Sequence, residues 1–182
     1  MPQGDPSVPI SDAETAMRIV RDSAARWGVN PSDVGMMGTS AGGHLVTLMA
    51  TTAPEAVRPD FQILFYPVIT FGEGCHKGSR DNFLGRDTTD VAKVAFYSTQ
   101  NRVSETTPPA ILFANSDDRG VPPASNSVPY YLEMTKSGCN ATLHIYPEGG
   151  HGWTFRSPFR YHDQVVSELT AWLQALPSSV AP

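Results

Sequence analysis

The chain has 182 residues, 40% of them hydrophobic and 17% charged, which is enough apolar material for one globular core and too little charge for a chain that stays disordered. A formal net charge of −5 and a pI near 5.4 argue against nucleic acid or an anionic membrane as partner and favour a small neutral or cationic substrate. No apolar run approaches the roughly 20 residues of a membrane span, Met1-Pro2-Gln3-Gly4-Asp5 carries no signal-peptide pattern, and Cys75 and Cys139, at neither C-x-x-C nor zinc-finger spacing, read as two unpaired thiols.

Ser11-Asp12-Ala13-Glu14 has the form of a capping box, with Ser11 accepting from the third helical amide and Glu14 reaching back, so a helix is predicted to begin there. Ala13, Met17, Val20, Ala24 and Trp27 then draw one apolar stripe, and Gly28 supplies a left-handed stop. A short strand is expected over 34–37, followed by Gly38-Thr39-Ser40-Ala41-Gly42 and the helix-like run from Gly43 to Ala50. A second strand is expected over 61–66, nearly all apolar as for a strand covered on both faces, with Pro67 at its end. Residues 70–87, rich in glycine, read as loop, and Val91–Tyr97 as a short helix.

A third strand is expected over 110–114 and a helix from about Ala124 to Lys136, bent by Pro129 and closed by Gly138. The fourth strand falls over 142–146, and a last helix over about 159–175 buries Val165, Val166, Leu169, Trp172, Leu173 and Leu176. The tail 177–182 reads as a frayed end. Strands alternating with helices give an α/β class with a mostly parallel sheet of about four strands and flanking helices.

The chemistry is carried by three short segments. A strand, a serine between glycines and then a helix is the context of a nucleophile elbow, where the tight turn tolerates only very small neighbours, here Gly38, Gly42 and Gly43. The pentapeptide alone recurs by chance too often to decide anything. Asp117-Asp118 follows the third strand, however, and His151 follows the fourth, so each candidate sits just past the carboxyl end of a strand, where open parallel sheets place their sites. Serine, aspartate, histidine is also the chain order of the α/β-hydrolase triad, unlike that of the chymotrypsin or subtilisin types.

A serine hydroxyl needs a base within hydrogen-bond reach and a third group to hold that base. His151 is the candidate base for Ser40, and Asp118 is preferred to Asp117 as the orienting acid because the local pattern resembles Asp-x-x-Val-Pro at the acid position of related hydrolases. The amide of Ala41 is the candidate oxyanion donor. His76 is a candidate for the site mouth, and Trp153 and Phe155 for flat faces toward a sugar ring, whereas His44, His144 and His162 read as structural. The sequence has no metal-ligand cluster, G-x-G-x-x-G fingerprint or phosphate loop, so no cofactor is expected.

Gly38–Leu45, Tyr66-Pro67-Val68-Ile69, Gly78-Ser79-Arg80, Ser116–Pro123 and Ile145–Trp153 together resemble bacterial acetylxylan esterases and related carbohydrate-esterase and lipase-like α/β-hydrolases, over most of the chain from about residue 11. The resemblance implies a single domain over 1–182, with the serine, aspartate and histidine as nucleophile, orienter and base. It implies removal of acetyl or short acyl groups from plant polysaccharide such as xylan, on a small-molecule or oligosaccharide ester. Such relatives usually carry an upstream half with further strands and a His-Gly-Gly-type loop that completes the oxyanion hole, while this chain has ten residues before its first expected helix. A partial fold is therefore expected, with activity reduced for want of a donor that is worth about 3–4 kcal/mol, and with the elbow strand as a free edge on which a homodimer can form. Two alternatives share the pattern: a prolyl-oligopeptidase-like serine peptidase domain, and a weakly active remnant that serves as an association module.

Overall fold

Four parallel strands in the order β1-β2-β3-β4 form the sheet: β1 Met36–Thr39, β2 Gln62–Phe65, β3 Ala110–Asn115 and β4 Ala141–Tyr146. The structure is a computed structural model and describes residues 4–154 and 158–177. Met36, Gln62, Ala110 and Ala141 lie level across the sheet, so all four strands begin together. β3 and β4 continue as far as Asn115 and Tyr146, beyond the level at which β1 and β2 end. All four expected strands are present, displaced by no more than two residues at either end.

Side chains alternate across the pleat and divide the core in two. Ile63, Phe65, Ile111 and Phe113 face Val165 and Trp172 of a helix at His162–Ala175. Leu64, Ala110 and Leu112 face Val46 of a helix at Ala41–Thr52 and Tyr130 and Met134 of a helix at Ser127–Lys136. The first helix, α1 at Ser7–Trp27, packs Ala13 and Met17 on Met49 of α2, Ala41–Thr52, and on Ala53 just past its end. Between β2 and β3 lie α3, Lys77–Leu84, and α4, Val91–Tyr97. The helices 127–136 and 162–175 are α5 and α6. No helix among the described residues is long and apolar enough to cross a membrane, and Cys75 and Cys139 are both free thiols.

Several expectations shift. α1 starts at Ser7, not Ser11, because the Asp5 carboxylate accepts from the Ser7 amide at 3.1 Å and the Ser7 hydroxyl at 2.6 Å, so the chain turns helical a full turn early. Its stripe holds at Ala13, Met17 and Ala24, but Trp27, the last residue of the helix, is exposed. The glycine-rich stretch expected as loop contains α3, with Leu84 buried beneath it. Pro129 does not bend α5: it lies in the first turn, whose amides have no intrahelical acceptor, and the break falls at Asn126, after one 3-10 turn at Pro123–Ser125. α6 begins at His162, and Val166 and Leu173 face solvent, leaving Val165 and Trp172 as its buried contacts. Phe155 and most of the tail lie outside the described residues.

His44 joins α2 to α4 through the core. Its Nε2 lies 2.8 Å from the Tyr97 carbonyl, to which it donates, and its ring stacks on Phe71 with centroids 4.2 Å apart. Burial lowers its pKa from 6.5 to about 4, against a smaller opposing effect of the Tyr97 carbonyl. Above pH 6.5 the ring is neutral in the folded and unfolded chain alike. Between 6.5 and about 4 only the unfolded chain takes the proton, so acid removes stability, to a total of roughly 3 kcal/mol once pH reaches about 4. Replacing His44 with Gln, which does not titrate, is expected to flatten the dependence of folding stability on pH over that window by about this amount, read as denaturant midpoints from pH 7 to pH 4; identical slopes for the two proteins would refute the assignment.

Candidate active site

Ser40 occupies the turn between β1 and α2 with φ 51° and ψ −119°, a backbone that non-glycine residues rarely adopt. Three backbone bonds fix it there: its amide donates to the Phe65 carbonyl at 3.0 Å, and its carbonyl accepts from His44 N at 3.2 Å and Val68 N at 3.0 Å. The turn is as crowded as the sequence implied at two of its glycines. A Cβ on Gly38 would lie 2.4 Å from the Gly42 carbonyl oxygen, and one on Gly43 would lie 2.6 Å from Pro67 Cβ. Gly42 is different, since a Cβ there meets open space.

The loops after β3 and β4 meet this serine. His151 Nε2 lies 2.8 Å from Ser40 Oγ, and His151 Nδ1 lies 2.7 Å from Asp118 Oδ2. With the Asp118 oxygens used as acceptors, Nδ1 is the ring donor and Nε2 is left to accept from the serine hydroxyl. Asp118 is 3% exposed, and its other oxygen accepts from Gly120 N at 2.9 Å and Val121 N at 2.8 Å, so the carboxylate is locked in place by its own turn. Asp117 points elsewhere, to the amides of Gly149 and Gly150. Ala41 opens α2, which puts its N–H among the helix-start amides that have no intrahelical acceptor, beside Ser40 Oγ in sequence.

Two sequence candidates find other positions. His76 caps α3: its Nδ1 accepts from the Ser79 amide at 3.2 Å and bonds the Ser79 hydroxyl at 2.9 Å, and it makes no hydrogen bond to Ser40, Asp118 or His151. Trp153 is 5% exposed and belongs to the core, stacked on Phe159 at 4.0 Å and edge-on to Phe65 and Tyr66, and it also borders a cavity beside the histidine loop. His144 stacks on Phe113, and His162 pairs with Asp163 at the surface.

Sequence reasoning overlooked Tyr66. It has φ 38°, its ring meets the His151 imidazole edge-on at 4.7 Å, and its hydroxyl accepts from Thr154 Oγ1 at 2.5 Å, three residues past that histidine. The signal available was its place at the end of β2, level with the serine turn. A cavity of about 380 Å³ lies beside the histidine loop, bordered by Asp117, Glu148, Gly149, Trp153, Phe159 and Arg160. A larger one of about 580 Å³, bordered by Asp33, Arg58, Asp60 and Pro108, lies where the strands begin and so at the opposite end of the sheet from the serine.

Residues 2–155 match the family model of the alpha/beta hydrolase fold. An acetylxylan esterase of Xylanibacter ruminicola is 48% identical over 181 residues, which is 98% of this chain but 38% of that protein. An acetyl ester-xyloside bifunctional hydrolase from Caldicellulosiruptor lactoaceticus superposes with a TM-score of 0.82 at 33% identity, over 91% of this chain and 64% of that one. A sugar hydrolase from Lactococcus lactis does so with a TM-score of 0.78 at 25% identity, over 93% and 68%.

The crowding at the turn yields a direct test. Gly38→Ala forces backbone apart at Gly42, where no flexible side chain can give way. It is expected to cost on the order of 2–3 kcal/mol of stability, whereas Gly42→Ala is expected to be near neutral. Equal denaturant midpoints for these two variants would show that the turn is looser than described.

Proposed function

The chain belongs to the α/β-hydrolase fold family, and on that premise we propose that it is a serine carboxylesterase that removes acetyl or other short acyl groups from carbohydrate through an acyl-enzyme. The observation that carries this reading is the unbroken chain of bonds Ser40 Oγ to His151 Nε2 at 2.8 Å and His151 Nδ1 to Asp118 Oδ2 at 2.7 Å, with the serine held on a strained turn. A general base at that distance can take the hydroxyl proton as the oxygen attacks an acyl carbonyl. The Ala41 amide faces the negative charge that develops on the carbonyl oxygen. His151 then returns the proton to the sugar oxygen as the carbon–oxygen bond breaks, leaving the acyl group on Ser40. Water, giving a proton to the same imidazole, attacks the acyl carbon, and that proton passes to Ser40 Oγ as its bond to the acyl group breaks and the acid is released. Asp118 holds the ring in the tautomer that leaves Nε2 free to accept, and it stabilises the imidazolium once formed.

The substrate class rests on the relatives, among which are an acetylxylan esterase and an acetyl ester-xyloside hydrolase. This chain spans 38% of the first and 64% of the second. Acetylated xylan or a xylo-oligosaccharide ester is the substrate we infer. A net charge of −5 suits a neutral polysaccharide better than a polyanion. A second property has its own observation: β1 has a neighbour on one side only among the described residues, and Met37 on it is 58% exposed, which favours strand pairing there with a second copy.

Ser40→Ala is expected to lower hydrolysis of p-nitrophenyl acetate by up to about 10⁶-fold, and Asp118→Asn by roughly 10⁴-fold. Rates equal to wild type in either would reject the mechanism. A proline-containing amide hydrolysed faster than an acetyl ester would instead select the peptidase reading. For the edge, sedimentation is expected to show a dimer that Met37→Lys dissociates, and a monomeric wild type would dispose of that pairing.

A further inference from the structure

The segment that follows β3 reaches the histidine loop at more than the imidazole. Asn115, fully buried, donates from Nδ2 to the Gly150 carbonyl at 3.0 Å. Two residues on, Asp117 accepts from Gly149 N through Oδ2 at 3.2 Å and from Gly150 N through Oδ1 at 2.8 Å. The residue immediately before His151 is thus gripped by both its amide and its carbonyl, from two side chains that flank it. The loop fits this grip closely: Gly149 has φ 140° and Gly150 φ 61°, and a Cβ on Gly149 would lie 2.5 Å from Asn115 Nδ2.

We propose that Asn115 and Asp117 are positioning residues, which clamp Gly149 and Gly150 through their two amides and the Gly150 carbonyl and so set the imidazole of His151 between Ser40 and Asp118. The proposal rests on the esterase reading for what the imidazole does, but on geometry alone for what holds it. Two successive amides that converge on one carboxylate form an anion-binding nest, a different arrangement from the water-facing contacts of an ordinary surface aspartate. The same two amides, Gly150 first, hold the Asp117 carboxyl below the usual carboxylate range, with a small contribution from Arg119. The acceptor therefore survives into mild acid. The charged groups that share its groove are Glu148 and Arg160, which pair with each other at 2.6 Å, so neither competes for Asp117.

Residues 115–118 thereby acquire a division of labour. Asp118 governs the rotation and tautomer of the ring through Nδ1, while Asn115 and Asp117 govern where the backbone delivers that ring. Neither of the latter touches the serine or a reacting atom, and a displacement of about 1 Å at a proton-transferring group is enough to cost on the order of 100-fold.

The test compares Asp117→Ala and Asp117→Asn with wild type on p-nitrophenyl acetate, with hydrogen exchange of the Gly149 and Gly150 amides as a second readout. Asp117 is exposed, so both variants are expected to fold with melting temperatures within a few degrees of wild type. Asp117→Ala should lower kcat by roughly 10- to 100-fold with KM nearly unchanged. Asp117→Asn, which keeps one carbonyl acceptor, should fall between. Fluorophosphonate labelling of Ser40 should slow by the same factor as kcat, and both glycine amides should lose exchange protection. Wild-type kcat in Asp117→Ala, a change confined to KM, or unchanged exchange would each overturn the clamp. A wild-type protein inert toward acetyl esters would sink the esterase reading alone, and the clamp would then be decided by the exchange measurement.

Discussion

The close approach of two backbone segments at the serine turn is the constraint on which the rest is built. The Gly38 α-carbon lies so near the Gly42 carbonyl that no side chain fits between them, and the chain reverses from strand to helix across that contact. A backbone at φ 51° on a serine costs on the order of 1–3 kcal/mol. The cost is offset locally, because Ser40 donates to the end of β2 and accepts from Val68 just past it. The serine is in effect a tie between the first two strands. Strain of this kind persists only where the surroundings over-determine it, and here the helix, the neighbouring strand and Pro67 all do so.

From that tie the sheet register decides who can meet the serine. The strands begin level, and the two that carry the acid and the histidine run two residues further than their neighbours. Their loops therefore start above the plane where Ser40 turns, and fold back over it. The Asp118 turn closes on itself through Gly120 and Val121, so one of its carboxylate oxygens is held without the histidine. Tyr66 stands under the ring from the second strand, its hydroxyl bonded to Thr154. The imidazole is thus approached from the serine turn and from the ends of β2 and β3, although it belongs to the loop after β4.

How much of this was legible in the sequence depended on whether the signal was local. The serine turn, and the loops after β3 and β4 that carry Asp117-Asp118 and His151, could be read because each is written in a few adjacent residues. α1 was read late because the capping box at Ser11 is a genuine local signal that Asp5 pre-empts from upstream. α3 was hidden by Gly78 within it and by the glycines that flank it. Trp153 shows the opposite limit: a tryptophan near a histidine suits a sugar platform and a core equally well by composition, and its packing on Phe65, Tyr66 and Phe159 could not be read from the sequence. Tyr66 and Asn115 were invisible because their partners lie between 35 and 88 residues away.

The adjacent carboxylates 117 and 118 make the same point in energetic terms. They have identical chemistry and sit on one turn, yet one is buried against an imidazole and the other is open to water on two backbone amides. Exposure is usually a reason to discount a polar contact, since water competes for it. That discount applies to ion pairs between long flexible side chains. It applies much less to a short side chain that bridges two successive amides of a loop already confined by Asn115 and Phe159, because little conformational freedom remains to be lost on forming the bonds. An exposed aspartate in that position can therefore determine geometry at a buried one, and the surface of the acid loop belongs to the site as fully as its interior does.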